Sequence, residues 1–87
     1  MTNTTDTALR SLLSDVLSLA PARAAALTAD SGLFGALPEL DSMAVAGLLT
    51  EIEDRFDIVI DDDEVDGDML GTYGDLLSYI TRKLGQA

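Results

Sequence analysis

An all-α fold, a four-helix bundle of three long helices and one short one with a long loop between the first and second helices, is predicted by three features of this sequence. Apolar residues recur at helical intervals over three separate stretches. Apolar residues make up 47% of the chain, yet Phe34, Phe56, Tyr73 and Tyr79 are its only aromatics, so the core is expected to be aliphatic and suited to packed helices. The β-branched run Ile58-Val59-Ile60 finds no second convincing strand to pair with, and is expected to plug the core as an extended link. A chain of 87 residues is read as a single domain, residues 1–87, with a modest core.

The first helix is carried by Leu9, Leu12, Leu13, Val16, Leu17 and Ala20, with Thr5 as its cap and Asp6 in its first turn, four residues before Arg10. Pro21 is expected to end it, because the residue before a proline is pushed out of the helical region. Ala22 to Leu27 can form a short helix with Pro21 in its first turn. Thr28 to Leu40, punctuated by Gly32, Gly35 and Pro38, reads as an ordered crossover pinned by Leu27, Leu33, Phe34 and Leu37.

A second long helix begins at Asp41 or Ser42 and runs to Phe56, with Val45, Leu48, Leu49, Ile52 and Phe56 on its apolar face. The acidic run from Asp61 to Asp66 is expected to make one turn of helix that stops at Gly67. Thr72 and Asp75 then form a variant capping box, and Tyr73, Leu76, Leu77, Ile80 and Leu84 carry a last helix that Gly85 ends.

Charge and composition exclude several functions. Five basic against sixteen acidic residues give a formal net charge of −11, which repels nucleic-acid phosphates and anionic membranes and speeds encounter with basic protein surfaces. With no Cys and no His, the chain has no thiolate, imidazole base or disulfide to offer. No apolar run approaches the roughly 18 residues of a spanning helix. A soluble, cytoplasmic, monomeric protein without membrane insertion is expected.

The stretch that carries chemistry is Leu40-Asp41-Ser42-Met43, where a Gly- and Pro-punctuated loop gives way to a helix. A serine that starts a helix most often caps it, and on residue physics alone capping leads. Asp41 can cap in its place, which would leave the Ser42 hydroxyl free beside the positive helix end, where an attached anion is favoured. Asp30-Ser31 is a second such pair, but Gly32 and a punctuated loop follow it.

Asp41-Ser42-Met43, the following helix ending Glu53-Asp54-Arg55-Phe56-Asp57, Ile60 leading an acidic turn, and Thr72 opening a helix with Leu77, Tyr79 and Ile80 together resemble the acyl carrier proteins over nearly the whole chain. The resemblance implies a four-helix bundle and a carrier that is not itself an enzyme. It implies 4′-phosphopantetheine attached to Ser42, with Asp41 and Met43 completing the motif, and acyl groups held as thioesters on its thiol. A phosphopantetheinyl transferase would install the arm, deprotonating Ser42 for attack on coenzyme A. Acyl-transferring or acyl-activating enzymes with basic docking patches would then read the helix, with Glu53 and Asp54 matching the family's acidic face. Acyl chains would lie against Val45, Leu49, Ile52, Phe56 and Ile80. Ala44 and Gly47 stand where acidic residues are common, which sets this helix apart from that of a typical fatty-acid carrier; Glu39 replaces a usual Gly and the loop after Gly67 is slightly longer than usual, and both departures point to a specialised lipid, polyketide-like or other dedicated pathway.

The alternative is an acidic calcium-binding or regulatory helical module that never receives the arm. Asp62-x-Glu64-x-Asp66-Gly67-Asp68 spaces oxygen ligands like an EF-hand loop, but Tyr73 occupies the position of the bidentate Glu.

Overall fold

The computed structural model describes residues 2–85. Among them run α1 (Thr2–Leu17), α2 (Pro21–Ala25), α3 (Ser42–Phe56) and α4 (Tyr73–Gly85), with a 3-10 turn at Asp62–Glu64. α1 is the central element and packs against α2, α3 and α4. The apolar periodicity closes one aliphatic core in which Leu9, Leu12, Leu13, Leu48, Ile52, Leu76 and Ile80 have no exposed surface. The four-helix bundle read from the sequence is the fold observed.

The ends of α1 differ from expectation. It begins at Thr2, ahead of Thr5, and it stops at Leu17, before Pro21 is reached. Ser18 adopts a left-handed conformation (φ 57°), and the Ser14 hydroxyl donates to the Leu19 carbonyl at 2.7 Å. This sharp exit turns Leu19 into the core. Pro21 acts instead at the start of α2, where its fixed φ and missing N–H cost nothing, and Ala20 before it is extended (ψ 143°).

The crossover is ordered by its backbone as well as by its apolar side chains. Leu33 N–H donates to Gly71 O (3.0 Å), Phe34 N–H to Leu70 O (2.9 Å), Tyr73 N–H to Ser31 O (2.8 Å) and Gly74 N–H to Ala29 O (3.0 Å). Segments 29–34 and 70–74 thus run antiparallel as a short seam, with a β-bridge between Gly32 and Thr72. Gly74 is required by the seam, since a Cβ there would lie 2.9 Å from the Ala29 carbonyl oxygen. Leu33 is fully buried and Leu27 and Leu37 are partly so, as pins should be. Phe34 is not a pin: it stays 47% exposed because the seam turns its side chain away from the core.

Arg10 fastens the crossover to α1. Its guanidinium donates to the carbonyls of Ala24 (2.8 Å), Ala25 (3.1 Å) and Leu27 (2.7 Å), pairs with Asp6 at 3.0 Å, and lies 4.6 Å from the centre of the Tyr73 ring. After α3, Ile58 is buried and Ile60 half-buried while Val59 is exposed, an extended plug as expected.

The acidic run makes less helix than its composition suggests. Only Asp62–Glu64 turn, as a 3-10 element, because side chains that could have continued a helix bond elsewhere. The Asp66 carboxylate accepts the Met69 N–H at 2.9 Å, and Glu64 accepts from Lys83 Nζ and the Tyr79 hydroxyl, both at 3.0 Å. At the start of α4 the Thr72 hydroxyl caps the Asp75 N–H at 3.1 Å.

Burial, with Glu64 as hydrogen-bond acceptor, pushes the Tyr79 hydroxyl up to about 12 from an ordinary 10, and burial raises Tyr73 as well. Folded tyrosines then keep protons that unfolded ones release, so this contribution to stability is intact below about pH 10 and is lost as pH rises towards about 12. Urea titrations across that range are expected to show falling stability, with a shallower fall in Tyr79→Phe.

Candidate functional site

The chain enters α3 through Leu40, which is buried and fixes the point of departure from the crossover. Asp41 is extended (φ −96°, ψ −177°); its carboxylate accepts the Ala44 N–H at 2.8 Å and its carbonyl accepts the Val45 N–H at 3.0 Å. Asp41 is therefore the cap, and Ser42 is the first residue of the helix proper. Ser42 is exposed, and no hydrogen bond from its hydroxyl to another described residue is formed. Asp41→Ala is expected to cost about 1 kcal/mol of stability, measurable by denaturant unfolding, whereas Ser42→Ala should leave stability almost unchanged.

A free hydroxyl at a helix N-terminus can take a covalent substituent, and an anionic one is favoured by the aligned backbone dipoles and unpaired N–H groups of the first turn. Met43 beside it is 86% exposed. Glu39, upstream, is tied to Arg23, whose hydrogen bonds hold its carboxyl below the ordinary range. This pair links α2 to the approach to Ser42.

Ser42 stands at the edge of a cleft of about 230 Å³ whose apolar lining is Phe34, Val45, Val65 and Leu70, closed by Asp66 and Gly67. Of the residues expected to line an acyl chain, Val45 is in this cleft. Leu49 and Phe56 are partly buried against the core elsewhere, and Ile52 and Ile80 are sealed inside it. Phe34, Val65 and Leu70 had no signal in helical periodicity, because they lie on the crossover and on the irregular segment before α4.

On the outer side of α3, Asp54 is exposed, but Glu53 is partly committed: its Oε2 accepts the Ile60 N–H at 2.8 Å and so holds the link after the helix. Glu51 pairs with Arg55, which also reaches Asp15 of α1. Apart from its chain neighbours and the backbone of its own helix, nothing lies within 4 Å of a Cβ built on Gly47, so this neutral position has open space before it.

Ser31 is placed differently from Ser42. Its hydroxyl oxygen accepts the Thr28 N–H at 2.8 Å within the crossover turn. The calcium-type spacing also dissolves in the fold, since Glu64 and Asp66 serve Lys83, Tyr79 and the Met69 N–H; the Asp62 side chain lies outside the described residues. Among the described residues no group of three or more acidic side chains could hold a metal ion, and no helix is long and apolar enough to cross a membrane.

Comparison with known proteins adds three findings. Residues 7–80 match the family model described as a phosphopantetheine attachment site. An acyl carrier protein of Exiguobacterium sp. strain AT1b is 43% identical over 44 residues, 51% of this chain and 53% of that relative, so the chain spans about half the length of the curated relative it matches. The solution structure of a holo acyl carrier protein from Nitrosomonas europaea superposes with a TM-score of 0.82 at 45% identity, covering 90% of this chain and 93% of that one.

Proposed function

The chain belongs to the acyl carrier protein family, a family of 4′-phosphopantetheine carriers and not enzymes, and from that membership we propose that Ser42 is the residue that bears the group. The observation that carries the assignment is the division of labour at the start of α3. Asp41 does the capping, so the Ser42 hydroxyl is left exposed at the positive end of the helix. Ser31 is occupied within its own turn and lacks a helix terminus.

The residues fit the group. A phosphodiester on the Ser42 oxygen would face the N-terminus of a 15-residue helix, and the cleft beside it offers an apolar surface. When attached, the group supplies a thiol, on which acyl chains are carried as thioesters; the chain has no Cys of its own. What the chain contributes is position: it holds the attachment point outward and leaves deprotonation of Ser42 to a partner.

The partners under this reading are a phosphopantetheinyl transferase and acyl-transferring or acyl-activating enzymes, met in the cytoplasm. A net charge of −11 favours basic docking patches. Exposed Asp54 and half-buried Glu53 are the acidic contacts on α3, while Gly47 and Ala44 leave its first half neutral. That neutrality supports a dedicated biosynthetic pathway with its own enzymes.

Intact-mass measurement after incubation with coenzyme A and a broad-specificity phosphopantetheinyl transferase tests the assignment. Wild type and Ser31→Ala are expected to gain one phosphopantetheinyl unit and Ser42→Ala none. A full gain in Ser42→Ala would overturn it.

A further inference from the structure

Of the large apolar side chains among the described residues, Met43 is the most exposed, at 86%, against 70% for Val59 and 47% for Phe34. It stands next to Ser42, at the second position of α3. No charged residue occurs from Ser42 to Thr50, so a surface that reaches the Ser42 hydroxyl along α3 meets the Met43 side chain and no charge. Consecutive Cα atoms are about 3.8 Å apart, and a specific protein interface covers about 800 Å² on each partner. Any enzyme seated on the Ser42 oxygen therefore covers Met43 near the middle of its footprint, where water is excluded. Met69, by contrast, is 6% exposed and belongs to the aliphatic core. The two sulfurs thus differ sharply in what can reach them from solvent, while Met1 lies outside the described residues.

We propose that Met43 is a reversible oxidation site, and that its conversion to the sulfoxide by a peroxide slows the loading of Ser42 without disturbing the fold. The step balances. A lone pair of the Met43 sulfur attacks one oxygen of hydrogen peroxide, the S–O bond forms as the O–O bond breaks, and the second oxygen departs as water with both protons. Sulfur loses two electrons, the peroxide gains them, and the residue keeps one oxygen. A thioether is an apolar, adaptable contact. The sulfoxide is strongly polar and must give up its water when an enzyme closes over it. In the free protein Met43 stands in solvent, so the change removes no core packing. Methionine sulfoxide reductases, one for each sulfoxide epimer, return the sulfur with two electrons and two protons, and the oxygen leaves as water. Because the first half of α3 is neutral, no nearby charge on the helix supplies binding that would offset the loss of this apolar contact.

The inference rests on Ser42 as the attachment site, and one series separates the two. The full chain is treated briefly with hydrogen peroxide, freed of it, and divided. One portion is digested with trypsin, which puts Met1, Met43 and Met69 on separate peptides, residues 1–10, 24–55 and 56–82. In the other, Tm is measured, and intact mass follows the rate at which coenzyme A and a phosphopantetheinyl transferase add the arm. The peptide with Met43 is expected to gain its oxygen well before the peptide with Met69. Protein oxidised at Met43 should load about tenfold more slowly at an unchanged Tm, and regain the untreated rate after incubation with both reductases and dithiothreitol. Met43→Leu, which keeps Met1 and Met69, should load at its own untreated rate after peroxide. Oxidation of Met69 as early as Met43, or an oxidised Met43 that loads at the untreated rate, overturns the switch alone. So does a slowing that comes with a lowered Tm, that the reductases fail to reverse, or that Met43→Leu shares. Untreated wild type that gains no mass at Ser42 overturns the attachment reading and the switch with it.

Discussion

Substituting Arg10 by Met is expected to lower the unfolding free energy by about 2–3 kcal/mol, one of the largest effects available outside the aliphatic core. The methionine keeps much of the packing of the arginine stem but cannot donate to the carbonyls of Ala24, Ala25 and Leu27, which lie at the end of α2 and just beyond it. Those carbonyls lose a charged donor, and Asp6 loses its ion-pair partner. Asp6 is held below the ordinary carboxylate range first by the Tyr73 hydroxyl and then by Arg10. Its contribution is therefore present above about pH 3.8 and lost as pH falls through the lowered value. Urea unfolding at neutral pH should show the full difference between wild type and Arg10→Met, and acid unfolding should narrow it. Because Arg10 ties α1 to the crossover, its loss should also increase hydrogen exchange along the seam from Ala29 to Phe34.

Ile52→Ala is expected to cost about 2–5 kcal/mol, which for a domain of this size lowers Tm by about 4–8 °C per kcal/mol. Ile52 sits fully buried in α3 among residues of the common core, so truncation leaves a cavity there. The experiment distinguishes two roles that helical periodicity alone does not separate. A residue lining an accessible acyl cleft would lose little packing in the unloaded protein, whereas a sealed core residue loses it all. A measured cost below about 1 kcal/mol would contradict the placement of Ile52 in the core.

The parts of the fold that could be read from the sequence are those written in local signals. The register of α3 and the Thr72 cap of α4 follow from short-range rules of side-chain spacing and hydrogen bonding, whereas those rules alone favour Ser42 as the cap of α3 and leave Asp41, the cap observed, as the alternative. What escaped was built by backbone pairing between distant segments. The seam from 29–34 to 70–74 uses N–H and C=O groups that every residue possesses, so no side-chain pattern announces it. Its consequences escaped too: Phe34 is turned outward, and with Val65 and Leu70 it forms the cleft beside Ser42. The double life of Glu53 was hidden for a related reason. An acidic residue on the outer face of a helix reads as solvated or partner-facing, and only the path of the link after Phe56 shows its carboxylate receiving the Ile60 N–H. Helix ends were misplaced where a single residue decides them, as Ser18 does by adopting a positive φ.

These observations divide the labour of a carrier among few residues. Under the proposed assignment Asp41 shapes the helix end and Ser42 offers the oxygen, while the seam sets Phe34 and Leu70 beside it. In the same proposal, partner enzymes read a face whose first half is neutral at Ala44 and Gly47.

The central claim is that the arm sits on Ser42, and site-resolved fragmentation tests it most directly. Trypsin leaves Ser31 and Ser42 together on the peptide of residues 24–55, since no Lys or Arg lies between Arg23 and Arg55. Fragmentation of that peptide from the loaded protein is expected to place the phosphopantetheinyl mass on fragments that contain Ser42 and to leave those ending between Ser31 and Ser42 unmodified. The mass on Ser31, or on any other residue, would contradict the account.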